Sequence, residues 1–388
     1  MSCSPPYPSG VTPALFPTTH TGSLPRPVDL TELLRDREDG KPTPTIGQRV
    51  QESVKEILER QVSSGLDIVN DGEMGKIGYA TYVTRRLNGF ERSPEAATAR
   101  RGPVDLQEFP DFPSVRPPNP SVRYAFSAVC SGPISSRGTD EVESDLQTLK
   151  DGAQQVGAHD LFMTAASPGV IAFFVPDRHY NNYEAYLAAL ADAMRPEYKA
   201  IVDSGCLLQL DCPDLAMAGA RFPDVDSFRT FMELNVEALN HALHGLPPER
   251  LRVHLCWGNY EGPHNHDVEL KAIVDIVLKT RASGISIEGC NPRHGHEWRV
   301  FEDVKLPDGR YLLPGVIDSV SNFVEHPDLV AERLLNYASV VGAERVVAGT
   351  DCGFGTFAGM TNVAPSIVWA KFQSMAEGAR RARERLTS

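Results

Sequence analysis

The sequence predicts an α/β protein built as a single (β/α)8 TIM barrel, and three observations predict it. Short, apolar, β-rich segments alternate with longer amphipathic ones, the rhythm of repeated βα units. Eight of the short segments can be placed, the number a closed barrel needs. Polar and reactive residues gather at the C-terminal ends of those segments, where barrel enzymes build their sites.

Strands are expected at Ala14–Thr19, Leu66–Asp71, Phe126–Ser131, Leu207–Asp211, Arg252–Cys256, Gly284–Glu288, Leu312–Ile317 and Val346–Gly349. Several are near-continuous apolar runs, as parallel strands covered on both faces require. Between them, helices are expected at Ile46–Ser63, Thr139–Val156, Tyr183–Asp203, Val225–Leu243, Asp267–Arg281 and Pro327–Val341. A length of 388 residues accommodates one barrel with insertions. One catalytic domain over residues 1–388 is therefore expected, with residues 1–12 as a Pro/Ser-rich disordered tip. Two segments break the rhythm. Arg92–Val122 is rich in Pro and charge and too long for an ordinary connection, so it reads as an inserted excursion or a hairpin lid. Ala158–Val175 reads as a further buried strand or loop outside the barrel set.

Composition excludes several function classes. A net charge of −13 argues against a nucleic-acid or anionic-membrane surface, since both need clustered Lys and Arg. No apolar run approaches the roughly 20 residues of a membrane span. The opening Met1-Ser-Cys-Ser-Pro-Pro-Tyr-Pro-Ser-Gly10 has neither the basic nor the apolar region of a signal peptide, so a cytoplasmic location is expected. Seven irregularly spaced cysteines are expected as reduced thiols, not as a disulfide framework. A Rossmann or P-loop reading fails for want of a Gly-rich strand-to-helix turn, and Gly72-Glu-Met-Gly75 is too short a match.

The strand endings carry the chemistry. His254-Leu-Cys256 places imidazole and thiol two residues apart on one strand, so both point to the same side. Glu288 ends the next strand and Cys352 follows the eighth. Thiolate, imidazole and carboxylate together suit zinc in tetrahedral coordination. On spacing alone the same His-x-Cys also suits a core cysteine beside a satisfied histidine. Cys290, two residues past Glu288, competes as a ligand. Zinc hydrolysis is the runner-up metal chemistry, but it wants an open water site and few thiolates. The loops holding His264 and His266, and Arg293, His294 and His296, directly follow the two ligand strands. Such histidines could bind an acidic substrate group or, as His294, serve as a general acid.

Asp351-Cys-Gly353, His254-Leu-Cys256, Ile285-Ser-Ile-Glu288 and Thr21-Gly-Ser-Leu-Pro25 occur in one order from about Pro17 to the final helix. As an ordered set they resemble the catalytic C-terminal half of cobalamin-independent methionine synthase. The resemblance implies a (β/α)8 barrel and Zn2+ held by His254, Cys256, Glu288 and Cys352. It implies a small-molecule thiol and an alkyl donor as partners. Glu73 and Asp211 match the acidic positions that hold the homocysteine amino group, and Gly22 and Ser23 match the turn that holds its carboxylate. Capping of the following helices is the alternative role for Glu73 and Asp211. A weakly held Glu288 would be the ligand that yields to the substrate sulfur.

Departures from the family fall on the donor side. Cys212 stands where the synthases carry a Glu, and one barrel stands in place of two. In Asp318-Ser-Val-Ser321, Asp318 matches the family's aspartate but Val320 occupies the position of its catalytic histidine. A folate-stacking Trp is not evident in Gly132-Pro-Ile-Ser-Ser-Arg137. Three readings follow. The first is a zinc-dependent transfer of a methyl or other alkyl group to a thiol, as from methyltetrahydrofolate to homocysteine. The second, as in the related epoxyalkane:coenzyme M transferases, is epoxide opening by a zinc-bound thiolate, with His294 as acid and Arg293 on a sulfonate. The third is a non-catalytic protein with a closed structural zinc site, which rarely draws ligands from three barrel strands. A homo-oligomer stays open, since the residues do not settle the oligomeric state.

Overall fold

Segments that read as unbroken apolar runs form the centre of the molecule. The structure, a computed structural model, describes residues 15–93, 104–112 and 128–387. Nine strands are described among them: β1 (Ile68–Val69), β2 (Leu87–Arg92), β3 (Ala128–Ser136), β4 (Asp160–Ala166), β5 (Leu207–Asp211), β6 (Leu251–His254), β7 (Gly284–Ile287), β8 (Tyr311–Ile317) and β9 (Gly349–Thr350). Seven of them make one parallel sheet in the order β1-β4-β5-β6-β7-β8-β9. Every residue of β5, β6, β7 and β8 is buried, as parallel strands covered by helices must be.

Residues 17–19 bring the two edges of this sheet together. Thr18 bridges Ala348 in parallel, while the Thr18 carbonyl accepts from the N–H groups of Asp67 and Ile68 beside β1. The expected first strand therefore contributes as a short hydrogen-bonded segment, and it completes the eighth position of the (β/α)8 TIM barrel. The third strand is corrected. Residues 128–136, which include the described part of the expected Phe126–Ser131, pair antiparallel with β2 outside the barrel. The third barrel position is β4, within the segment expected to lie outside the barrel set. The physical reason lies in β3 itself. Gly132-Pro133 interrupts it, Pro133 lacks a ladder N–H, and its burial is patchy, whereas β4 ends in five consecutive buried residues.

Helices at Ile46–Ser63, Asp140–Val156, Tyr183–Asp203, Val225–Ala242 and Pro327–Val341 match expectation to within a residue. Their starts are explained by capping side chains: Asn182 accepts from the Ala185 N–H and Asp224 from the Ser227 N–H. The expected helix Asp267–Arg281 is corrected to two short turns at Leu270–Ala272 and Val274–Val277. Its start is held by neighbouring side chains, with the Trp257 indole donating to the Val268 carbonyl and the Leu270 N–H donating to Glu297. Of the excursion at 92–122, residues 94–103 and 113–127 lie outside the described residues, as does the N-terminal tip. Its middle forms a short helix, Asp105–Glu108, and the β2–β3 hairpin stands at its base. No helix among the described residues is long and apolar enough to cross a membrane.

The barrel interior is filled tightly by Arg252, whose guanidinium lies over the Phe162 ring at 3.8 Å and whose Cβ would sit 2.7 Å from any Cβ added at Gly284. That hypothetical Cβ also meets the Tyr311 hydroxyl at 2.7 Å. Gly284→Ala is therefore expected to destabilise the barrel by about 1–3 kcal/mol through overpacking. Urea unfolding would show a lower midpoint than wild type, and an unchanged midpoint would contradict this packing.

Candidate metal centre and its pocket

Alternation along β6 sets the metal centre. Arg252 and His254 face one way, Val253 and Leu255 the other, and Cys256 returns to the His254 side just past the strand. Cys352 arrives from the loop after β9. His254, Cys256 and Cys352 are buried, and each offers a donor atom within 4.8 Å of the others. The two sulfurs lie 3.5 Å apart as free thiols. Nδ1 of His254 contacts the Ser286 hydroxyl at 3.1 Å, while its buried Nε2 has no hydrogen-bond partner. Burial, with the nearby charge of Arg252, pushes the His254 imidazole down to about 3, so the ring is neutral. The hydrogen bond to Cys352 and then burial push the Cys256 thiol well up. An unpartnered neutral imidazole nitrogen beside two thiols 3.5 Å apart is a set of donors that a soft divalent ion would complete.

Glu288 stands next to this trio but outside it. Its two oxygens accept from the Trp257 backbone N–H at 2.8 Å and from the Asn291 side-chain amide at 2.7 Å. Burial, then the charges of Cys256 and Asp351, push its carboxyl well above the ordinary range. Cys290, the competing ligand, is not in the trio. Its sulfur faces the Glu325 carboxylate at 3.7 Å, which in turn binds the buried Lys371 ammonium.

A cavity of about 390 Å³ opens on the trio. Thr21, Ser23, Glu73, Asp211, His254, Cys256 and Cys352 line its metal end. Gly22 lies behind the wall, with a φ of +141° and no room for a Cβ, which would meet a Thr164 methyl at 2.5 Å. Glu73 Oε1 accepts from the Thr164 hydroxyl at 2.7 Å, while its buried Oε2 has no hydrogen-bond partner and lies 3.7 Å from the Arg26 guanidinium. Burial and the Glu73 charge push Asp211 well up. Two inward carboxylates at one end are a docking place for an ammonium group.

Other expected site residues sit elsewhere. Asp318 ends β8 and uses both carboxylate oxygens on the N–H groups of Val320 and Ser321, away from the cavity lining. Arg293 is exposed and does not line the cavity. His294 is buried against the Trp257 ring, with Nδ1 2.8 Å from Glu297 and Nε2 3.2 Å from Asp267. Despite burial, those two carboxylates push it up to about 10, so it holds its proton and locks the loop. His264 shares Asp267 with it, at 2.7 Å, and His266 pairs with Glu108 of the inserted helix. His296 is exposed.

The residues unforeseen from sequence form the cavity's far wall: Tyr79, Phe174, Met217, Phe357 and Met360, with Arg221 among them. They come from four distant stretches of the chain, around 79, 174, 217–221 and 357–360, so no motif could have joined them. The ring centroids of Phe174 and Phe357 lie 5.8 and 5.7 Å from that of Tyr79.

No protein-family profile matches the chain. Curated proteins do. A methionine synthase from Saccharolobus solfataricus is 25% identical over 381 residues, covering 96% of each chain. A methionine synthase from Thermococcus kodakarensis is 23% identical over 341 residues, covering 87% of each. Among solved structures, a B12-independent methionine synthase from Shewanella sp. W3-18-1, in complex with selenomethionine, is 22% identical. It superposes with a TM-score of 0.71, covering 96% of this chain and 99% of that one, which supports the barrel fold.

Because the folded pKa of His294 lies above its ordinary 6.5, its stabilising contribution is full below about pH 6.5 and is lost as pH rises through about 10. Unfolding free energies of wild type and His294→Gln should therefore converge between those pH values. A constant difference across that window would mean that the ring is held neutral.

Proposed function

We propose that this chain, a relative of the cobalamin-independent methionine synthases, is a zinc-dependent methyltransferase that alkylates the sulfur of a homocysteine-like amino-acid thiol. The observation that carries this is the buried, unpartnered Nε2 of His254 facing the paired Cys256 and Cys352 thiols at the end of a cavity. Zinc, when bound by His254, Cys256 and Cys352, would keep an incoming thiol as a nucleophilic thiolate at neutral pH. The protein's own residues do the rest. Glu73 and Asp211 receive the substrate ammonium, and Ser23 lies across the cavity end where its carboxylate would rest. Glu288, beside the trio, would be a fourth holder of the metal, and its oxygens already accept from the Trp257 N–H and the Asn291 amide. Those two hydrogen bonds would keep the carboxylate paired when it does not hold the metal.

The aromatic wall supplies a surface for the methyl donor that the missing Trp near Gly132 had put in question. A closed structural zinc site fits less well, because the trio opens into a cavity large enough for a small molecule. Epoxide opening by way of Arg293 and His294 loses its support, since neither residue reaches the cavity lining.

Purified protein is expected to carry about one zinc per chain, and Cys352→Ser to lose most of it while keeping its far-UV circular dichroism. X-ray absorption should show one oxygen replaced by one sulfur on adding homocysteine. Calorimetry with homocysteine, coenzyme M and glutathione should favour homocysteine. Normal zinc content in the variant, or negligible binding of all three thiols, would overturn the reading.

A further inference from the structure

The cavity is electrically lopsided. Carboxylates line its metal end and the side under the inserted helix: Glu73, Asp211, Asp105 and Asp267. Asp105 and Asp267 are answered locally, Asp105 by the Tyr260 hydroxyl and the His264 N–H, Asp267 by His264 and His294. At the far wall stands one guanidinium, Arg221. Among the described residues no carboxylate answers it, and its charge rests on the ring of Phe173, 4.0 Å from its central carbon. An exposed arginine whose charge rests on a ring and whose N–H groups have no partner among the described residues is presented for a planar oxyanion.

The loop that carries Arg221 is held firmly. It follows β5 as two short 3-10 turns, Pro213–Leu215 and Met217–Arg221, and the Met217 N–H donates to the carbonyl of Cys256, a metal-centre residue. Gly219 packs so close to Phe228 and Val268 that an added Cβ would meet each at 3.2 Å. The backbone that carries Arg221 is thus tied to the metal centre, and the Phe173 ring under its guanidinium packs on Phe174 at 5.2 Å, which meets Tyr79 at 5.8 Å.

We infer that Arg221 is the anion-recognition residue of the second substrate, which carries an apolar or aromatic body ending in a carboxylate or sulfonate. The body lies on the Tyr79–Phe174–Phe357 wall, and the anionic end pairs with the Arg221 guanidinium. This inference rests on the proposed transferase reading for the identity of the second substrate, but not for the binding itself.

The test uses the full chain and three probes of similar size: 4-phenylbutyrate, 3-phenylpropanesulfonate and the neutral 4-phenylbutanamide, titrated by calorimetry at low salt. Both anions are expected to bind roughly tenfold more tightly than the amide, with the preference shrinking at high salt. Arg221→Gln should reduce that preference to about twofold or less while leaving amide binding and zinc content unchanged, and Arg221→Lys should keep part of it. Equal binding of amide and anions by wild type, an undiminished preference in Arg221→Gln, or no saturable binding of either anion would each overturn the inference. Failure of the transferase reading would show separately, as missing zinc or missing thiol binding, because these probes carry no sulfur nucleophile.

Discussion

The carboxylate of Asp351 organises the rim on which everything else is mounted. Its oxygens accept three consecutive backbone N–H groups, from Gly289, Cys290 and Asn291, each at 2.8 Å, and the Asn291 side-chain amide at 3.1 Å. One residue of the β9 loop thereby shapes the loop after β7. Two neighbours of Asp351 depend on this: Cys352 takes its place in the trio, and Glu288 is held by the Asn291 amide that Asp351 helps to orient. Gly315, at an irregularity in the pairing of β8 with β9, makes the approach possible, since an added Cβ would lie 1.9 Å from an Asp351 oxygen. Burial holds the Asp351 carboxyl up at about 6 even though the three N–H bonds favour its ionised form. The ionised form is the one that can serve all of these donors.

Charge placement around the metal centre follows from the same constraint. Two thiols 3.5 Å apart and two nearby acids, Glu288 and Asp351, gather potential negative charge in a buried place, and after burial the charges of Cys256 and Asp351 push Glu288 toward its protonated state. Arg252 lies beneath the centre inside the barrel, and its charge favours the neutral form of His254 while its own guanidinium is driven down by burial to about 10. A divalent cation at the trio would offset the repulsion among these acids, which is the physical sense in which the unpartnered Nε2 of His254 and the raised Cys256 thiol belong together.

Much of the barrel was legible because parallel strands leave unbroken apolar runs, and Tyr183–Asp203 or Pro327–Val341 can be read to the residue from their caps and periodicity. The third strand was not. Ala128-Val-Cys130 has the composition of a buried strand, while β4 opens on a charged Asp160 and ends in small residues, and only tertiary pairing tells them apart. In the site, His254, Cys256 and Cys352 could be read from type and position. Which of Glu288 and Cys290 stands beside them depends on where the β7 loop turns, and that is set by Asp351, more than sixty residues away in sequence. The setting of His294 was hidden for a similar reason: the partners that hold its proton, Asp267 and Glu297, belong to two different loops. The aromatic wall draws Tyr79, Phe174 and Phe357 from positions with no local pattern in common.

The inserted helix shows how such distant pieces are made to cooperate. Asp105 accepts from both the Tyr260 hydroxyl at 2.6 Å and the His264 N–H at 2.9 Å, and Glu108 pairs with Asn265 and His266. Tyr260 stacks on His264 at 4.3 Å, and His264 hands the connection to Asp267 and so to His294 beneath Trp257. The backbone N–H of that same Trp257 is the donor to Glu288. An unbroken series of charge-assisted hydrogen bonds and ring contacts thus runs from the insertion over the cavity to the carboxylate beside the metal trio. The polar groups along it are paired within the protein, so the helix Asp105–Glu108 can border the cavity with its carboxylates answered. Through Asp105 the inserted helix is thus part of the cavity lining as well as a decoration on the barrel.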